Sequence, residues 1–198
     1  MALGKQAKTL TSKQVKVLLH YVGGLRNGLR NRVVVLLSVK AGLRAKEISS
    51  ITWSMVIDAD GNLGENIRLE NVASKGTSGR VIPMNDELRR HIQELLDKQN
   101  DNGSFLPEAR LIQTERSECT TAQVIVNMFH GWFSALGLSG CSSHSGRRTF
   151  ITNAARKVST VGGSIRDVQL LAGHSSLQTT QRYIESESNV RRKLVNLV

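Results

Sequence analysis

The chain has 198 residues, and its 27 Lys and Arg against 16 Asp and Glu give a formal net charge of +11 at pH 7. This length suits one domain with a real core, and the basic excess favours an anionic polymer, nucleic acid, as the partner. With only two cysteines, a disulfide scaffold is excluded and a reducing cytoplasm fits. The chain has no apolar run that indicates a signal peptide or membrane contact. Its aromatic content of 4% favours binding of duplex DNA over binding of single strands.

The first third of the chain predicts helices that end at glycines. A capping box at Thr11–Gln14 opens the first helix, which carries apolar residues at helical spacing and stops at Gly23–Gly24. The second helix is predicted over Arg26–Ala41, with Gly42 as its stop. Its central run, Val33–Leu37, is apolar without interruption and is therefore expected to be buried.

A third helix is predicted to begin within Leu43–Ile48. On spacing alone, Arg44 is most simply interpreted as a solvated surface arginine. Glu47, one turn further on, nevertheless occupies a position from which its carboxylate could hold the Arg44 guanidinium in place. The local pattern leaves both interpretations open.

From Trp53 to Met84 the pattern changes to short β-type segments with turn residues between them. The candidate strands are Met55–Ile57, Ile67–Leu69 and Arg80–Ile82, separated by turns at Asp58–Gly61 and Gly76–Gly79. Lys75 stands at the mouth of the second turn. A lysine there is usually only solubilising, but a mobile turn of small residues could also carry it to a phosphate and withdraw it.

The rest of the chain is predicted to be helical, apart from an irregular surface loop over residues 100–118. Asn85 or Asp86 caps the first of these helices, and the later ones also carry apolar residues at helical spacing. The predicted helices are Glu87–Lys98, Thr121–Leu136, Arg148–Val158, Ile165–Ala172 and Leu177–Ile184. The whole pattern is that of a mainly α-helical protein with a small antiparallel β-sheet, an α+β fold.

Residues with the chemistry of phosphoryl transfer are concentrated between His144 and Tyr183. His144 and Arg147 are three residues apart, so on a helix they share one face. An arginine fork fits phosphate oxygens, a histidine can donate or shuttle a proton, and a tyrosine hydroxyl can attack phosphorus. Tyr183 follows His174 by nine residues. The histidines and cysteines do not have metal-ligand spacing, so no metal site is predicted.

A different interpretation of the same region is a DNA-binding regulator. The segment Ser164–Tyr183 is typical of a helix-turn-helix, with Gly173 in the turn and Leu177–Tyr183 as the recognition helix. Tyr183 would then only contact a phosphate. This alternative explains the charge and the last third of the chain, but it leaves Arg44 and Lys75 without a role.

Six residues in order along the chain resemble the active site of the tyrosine recombinases, the phage integrase family. They are Arg44, Lys75, His144, Arg147, His174 and Tyr183. The surrounding text is also similar, with A-G-L-R-A-K-E-I around Arg44 and L-A-G-H-S-S-L-Q-T-T-Q-R-Y-I at the end. The resemblance covers residues 8 to 185 and implies the architecture of a tyrosine recombinase catalytic domain.

The resemblance implies that Tyr183 attacks a scissile phosphate of duplex DNA, forming a 3′-phosphotyrosyl bond and freeing a 5′-hydroxyl. Since a free tyrosine has a pKa of about 10, it needs a base, and His144 takes that role. Lys75 would protonate the departing 5′-oxygen. A 5′-hydroxyl from another strand could then rejoin the DNA without ATP, in integration, excision or inversion.

The resemblance also implies how the transition state is stabilised. Arg44 and Arg147 would clamp the non-bridging oxygens, supported by Glu47, and His174 would add a third donor. Because two arginines supply the positive charge, no metal and no other cofactor is implied. The residues expected to contact DNA are Arg44, Lys75, Arg147 and Arg148. A relaxing enzyme of the type IB topoisomerase kind shares this chemistry and remains an alternative.

The resemblance divides the chain into residues 1–10 as an N-terminal extension, 11–185 as the catalytic domain, and 186–198 as a C-terminal tail helix that docks on a neighbouring protomer. The chain resembles the short single-domain members such as DNA invertases, and Gly146 stands where the family often has leucine. The implied partners are double-stranded DNA, further copies that form a tetramer on paired sites, and accessory DNA-bending proteins. The implied location is the cytoplasm, in association with the nucleoid, for a protein of bacterial or phage origin.

Overall fold

The computed structural model describes residues 7–71, 73, 79–101, 106–115, 117, 119–183 and 195–196. Within these ranges the α-helices are α1 Ser12–Gly23, α2 Gly28–Val39, α3 Ala45–Ser50, α4 Asp86–Asp101, α5 Ala122–Ala135, α6 Ser145–Lys157, α7 Ile165–Ala172 and α8 Leu177–Gln181. Strands β1 Asn66–Leu69 and β2 Arg80–Pro83 pair antiparallel, with Ile67 opposite Ile82. The predicted mainly α-helical fold with a small antiparallel sheet is confirmed.

Helix α2 forms the centre of the core. Its residues Val33–Leu37 are fully buried, and it packs against α1, α3, α4 and α6. A helix that is apolar on every side is stable only when other elements surround it, which is the arrangement found here. Helices α3 and α6, which begin next to Arg44 and His144, therefore both pack on α2.

The predicted strand Met55–Ile57 is wrong. Trp53–Met55 form a short 3₁₀ turn, and Ile57 makes only an isolated bridge to Leu63. Trp53, Met55 and Val56 are all buried, and the backbone N–H of Val56 donates to the carbonyl of Trp53 within the turn at 2.9 Å. The backbone N–H of Trp53 instead donates to the carbonyl of Ala109 at 3.1 Å, so the turn is held by a distant loop.

The starts of two predicted helices move by more than one residue. Helix α2 begins at Gly28 instead of Arg26, because Asn27 has a left-handed φ of 60° that the helix cannot include. Helix α6 begins at Ser145 instead of Arg148, so His144 becomes its N-cap residue. Of the predicted terminal segments, residues 1–6 and most of 186–198 lie outside the described residues.

Gly146 lets α6 approach α2 more closely than another residue would. A Cβ atom built on Gly146 would collide with Ser38 Oγ and lie 2.9 Å from Ser38 Cβ and 3.1 Å from Val39 Cγ1. Ser38 Oγ is itself buried, and no described residue forms a hydrogen bond with it. The glycine is therefore explained by packing, since it costs about 1 kcal/mol of helix propensity relative to alanine.

We expect Gly146→Ala to lower the free energy of unfolding by about 1–3 kcal/mol, because overpacking outweighs the gain in helix propensity. Urea unfolding followed by circular dichroism measures this change. The matched control is Gly131→Ala in α5, where the new Cβ would meet no atom within 4 Å. That variant should gain about 0.5–1 kcal/mol. Equal stabilisation of both variants would contradict the packing explanation.

Candidate active site

The structure brings most of the predicted catalytic residues into one cavity. Of the six, five are described, and all five line a cavity of about 540 Å³: Arg44, His144, Arg147, His174 and Tyr183. Arg148, predicted to bind DNA, lines the same cavity. Lys75 lies outside the described residues. Because the cavity joins residues 139 positions apart in sequence, it is produced by the fold and not by a local motif.

Arg44 is held at the start of α3 by Glu47. The Glu47 carboxylate accepts a hydrogen bond from the backbone N–H of Arg44 at 2.8 Å and another from Arg44 Nη1 at 2.9 Å. Arg44 is the N-cap residue and Glu47 is the third residue of the helix, as in a capping box. The side chain of Glu47 is 1% exposed, whereas that of Arg44 is 29% exposed and reaches the cavity.

Sequence reasoning missed a second arginine on Glu47. Arg80, the first residue of β2, donates from Nη1 to Glu47 Oε1 at 3.0 Å and from Nη2 to Oε2 at 3.2 Å. Burial alone would raise the pKa of Glu47, but hydrogen bonding and the charge of Arg80, followed by those of Arg44, lower it. Glu47 is therefore a buried carboxylate anion between two guanidinium groups. The pair is separated by 33 residues, and no local spacing indicated it.

Arg147 is buried where α2, α6 and α7 meet. Its Nη1 donates to the carbonyl of Gly42 and its Nη2 to the carbonyl of Ala172, each at 2.6 Å. Only 4% of the residue is exposed, and burial, followed by the charge of Arg44, lowers its pKa to about 10. Arg147 is thus still a cation at neutral pH. Its guanidinium is fixed by backbone before any ligand binds.

His174 is positioned by the turn that ends α7. Gly173 has a left-handed φ of 62°, and both the N–H and the carbonyl of His174 hydrogen-bond to Gln169. The ring Nδ1 lies 3.0 Å from Oγ1 of Thr180, a fully buried residue that sequence reasoning did not single out. Contact with this hydroxyl orients the imidazole and biases which nitrogen carries the proton.

The ring of Tyr183 stacks on that of His174, with centroids 5.5 Å apart and an angle of 22° between the planes. His144, by contrast, is an exposed N-cap residue at the rim, and the helix orients Arg147 inward. His144 and Arg147 were predicted to share one face of a helix. In the structure both line the cavity, but His144 is exposed and Arg147 is buried. In this arrangement the histidine in contact with Tyr183 is His174.

Burial lowers the pKa of His174 to about 4, and the charges of Arg147, Arg44 and Arg80 add to the effect. His174 is therefore neutral at pH 7. Between its ordinary pKa of 6.5 and about 4, the unfolded chain takes up a proton at this residue while the folded chain does not. Its contribution to stability is thus fully present above pH 6.5 and is lost as the pH falls towards 4.

We expect a pH titration followed by NMR to show an imidazole with a midpoint near pH 4, and this signal should be missing from the His174→Asn variant. Urea unfolding at pH 7 and at pH 4.5 should show that the wild type loses more stability on acidification than the variant does. The comparison removes the contribution of the carboxylates, which both proteins share. A His174 midpoint near 6.5 would contradict the predicted environment.

Within the described residues, no cluster of three or more His, Cys, Asp or Glu side chains could hold a metal ion. Among the described helices, none combines the length and the apolar character needed to cross a bilayer.

Comparison with known sequences gives consistent matches. The profile of the phage integrase family matches residues 8–189. Tyrosine recombinase XerA of Pyrococcus horikoshii is 27% identical over 189 residues, covering 95% of this chain and 60% of that protein. Tyrosine recombinase XerD of Pseudomonas aeruginosa is 31% identical over 162 residues, covering 79% of this chain and 49% of that protein. The chain therefore spans about half to three fifths of these relatives.

Comparison with solved structures shows the same fold. The crystal structure of XerA recombinase superposes with a TM-score of 0.74 at 22% identity, covering 96% of this chain and 64% of that one. The Tn1549 transposon integrase in complex with transposon right end DNA superposes with a TM-score of 0.73 at 20% identity, covering 96% and 65%. The described helices and the two-stranded sheet thus form the fold of these proteins.

Proposed function

This chain belongs to the phage integrase family, and on that premise we propose that it cuts and rejoins duplex DNA at specific sites through a covalent bond between Tyr183 and a 3′-phosphate. One observation carries the proposal. Tyr183, two histidines and two arginines from distant parts of the chain line a single open cavity. These residue types supply a nucleophile, proton-transfer groups and phosphate ligands.

Double-stranded DNA is the proposed substrate. The net charge of +11 favours a polyanion, and several proteins of the same fold have been solved on DNA. Among them are XerH site-specific recombinase bound to its difH substrate and a lambda integrase dimer bound to a core site. Arg44, Arg147 and Arg148 line the cavity and are the proposed phosphate contacts, together with Lys75.

Two of the arginines that line the cavity, Arg44 and Arg147, are suited to stabilise a phosphoryl-transfer transition state. Arg147 is fixed by two backbone carbonyls, and Arg44 by the Glu47 carboxylate, so neither needs to reorganise when charge develops on the non-bridging oxygens. When Thr180 donates its hydroxyl proton to Nδ1 of His174, the proton of the neutral ring is on Nε2 and can be donated to a phosphate oxygen. No part of this arrangement requires a metal.

The proposed reaction is a reversible transesterification. The Tyr183 hydroxyl loses its proton to His144, the phenolate oxygen bonds to phosphorus, and the bond from phosphorus to the 5′-oxygen breaks. That oxygen takes a proton from Lys75. Rejoining reverses these steps with a 5′-hydroxyl as the nucleophile and needs no ATP, because the phosphotyrosyl bond conserves the energy of the diester. Assignment of His144 and Lys75 rests on the family resemblance, and Lys75 lies outside the described residues.

A DNA-binding regulator without cleavage activity is less consistent with this arrangement. Helices α7 and α8 are joined by a short turn, as a helix-turn-helix requires, but α8 has only five residues. Tyr183 stacks on His174 at the cavity, where the tyrosine hydroxyl would be near the arginines rather than on a helix entering a groove. A phosphate-contacting tyrosine on a recognition helix would not need this constellation.

The proposal extends to the organisation of the protein. We assign the catalytic domain to residues 11–185, preceded by an extension and followed by a tail that docks on a neighbouring copy. Assembly as a tetramer on paired sites, help from DNA-bending proteins, and a cytoplasmic location near the nucleoid complete the proposal. Support for these assignments comes from membership of the family and from the charge.

The test is to trap the covalent intermediate. The protein is incubated with a library of duplexes that carry a nick near each candidate crossover, then denatured, and any adduct is mapped by mass spectrometry. An adduct on Tyr183 at a particular sequence supports the proposal. Selective retention of a duplex without an adduct would support the regulator. Relaxation of supercoiled plasmids without any sequence preference would support a type IB topoisomerase.

A further inference from the structure

Arg80 connects three elements beneath the cavity, although it is not part of the cavity lining. Its side chain is only 7% exposed, and besides its two bonds to Glu47 it donates from Nε to the carbonyl of Leu171 at 2.8 Å. We propose that Arg80 is a positioning residue for DNA cleavage, which holds Arg44 through Glu47 and the His174 turn through Leu171 in one geometry. This inference rests on the proposed function and extends it to a residue outside the six catalytic positions.

The first step of the argument concerns the charge of Arg44. Glu47 is buried with two guanidinium groups on its carboxylate, one from Arg44 and one from Arg80. Without Arg80, the Glu47 anion would be balanced by Arg44 alone, and the cluster would carry no net charge. With Arg80 present, the cluster has an excess of positive charge that a phosphate can use.

The second step concerns the end of α7. The carbonyls of Leu171 and Ala172, in its last turn, accept hydrogen bonds from Arg80 and Arg147 respectively. Cations at this end of a helix are favoured by the helix dipole. Gly173 packs directly on the Arg80 side chain, since a Cβ there would lie 2.8 Å from Nη1. The turn that contains His174 therefore packs against Arg80 and is hydrogen-bonded to it through Leu171.

The third step concerns precision. A shift of about 1 Å in groups that orient a reacting phosphate can slow a reaction by roughly 100-fold. Arg80 acts on two such groups at once, Arg44 and His174, although it lies on β2. Its bidentate bond to Glu47 fixes the carboxylate in a plane, which a single point charge would not do.

The experiment compares Arg80→Met and Arg80→Lys with an exposed control, Arg90→Met, whose arginine pairs with Glu94 on the surface of α4. Single-turnover cleavage of the nicked duplex and DNA affinity are measured separately. Cleavage should fall roughly 10- to 100-fold in Arg80→Met, with less than about a threefold change in affinity. Arg80→Lys should be intermediate, because it keeps the charge but not the fork. The control should cleave at the wild-type rate.

A second readout does not depend on activity. Because the charge of Arg80 helps to lower the pKa of His174, the NMR midpoint of His174 should rise in folded Arg80→Met and rise less in Arg80→Lys. If Arg80→Met does not fold, the cleavage rate and midpoint of Arg80→Lys decide. The inference would be overturned if the wild-type protein cleaves DNA and the folded Arg80 variants cleave it at the same rate. Absence of any wild-type adduct would count against the proposed function, and an unchanged His174 midpoint would then reject the positioning role as well.

Discussion

Replacing Tyr183 with phenylalanine is expected to abolish the covalent DNA adduct while leaving DNA binding nearly unchanged. The substitution removes only the hydroxyl oxygen, and the phenyl ring can keep the stacking on His174 that the tyrosine makes at 5.5 Å. We expect the rate of adduct formation to fall by at least roughly 10⁴-fold, because no other group can replace the nucleophile. The measurement is adduct yield over time on the nicked duplex, beside a gel-shift titration for affinity.

The chain offers a matched control, because it contains two tyrosines. Tyr21 lies on α1 and packs against the hydrophobic core, away from the cavity lining. Tyr21→Phe removes the same atom and should form the adduct at the wild-type rate. Retention of the adduct in Tyr183→Phe, with mass spectrometry placing it on another residue, would reject Tyr183 as the nucleophile.

Arg147→Lys is expected to have the second largest effect, with cleavage reduced by about 10²- to 10³-fold. Lysine keeps the positive charge, but one ammonium group cannot reproduce the fork that holds the carbonyls of Gly42 and Ala172 at 2.6 Å each. The protein should also be less stable, by about 1–3 kcal/mol, because a buried acceptor is left without its partner. Single-turnover cleavage and urea unfolding together measure the two effects.

Arg90→Lys is the corresponding control for the loss of a guanidinium. Arg90 is 64% exposed and pairs with Glu94, so its replacement should change neither cleavage nor stability by a measurable amount. Cleavage by Arg147→Lys at the wild-type rate would mean that charge alone suffices and that the carbonyl contacts have no catalytic consequence. A stability loss with unchanged cleavage would assign Arg147 to the core only.

The sequence alone determined the features that depend on neighbours along the chain. Helix periodicity predicted the main helices, and the capping pair of Arg44 with Glu47 was visible because the two residues are one turn apart. The order of the six motif residues indicated the family before any geometry was known. Where the prediction was wrong, at Met55–Ile57, the preceding Trp53 hydrogen-bonds to the carbonyl of Ala109, a contact that the local sequence does not indicate.

Only the tertiary structure decided which groups surround those residues. Arg80 meets Glu47 across 33 residues, and Arg147 reaches the carbonyl of Gly42 across 105. Neither contact has a local signature, because every residue carries the same backbone carbonyl. The buried ion pair likewise joins two elements that are far apart along the chain. Gly146 is the same kind of case. Ser38, on another helix, leaves no room for a side chain at position 146. The residues next to Gly146 in the sequence do not indicate that this space is filled.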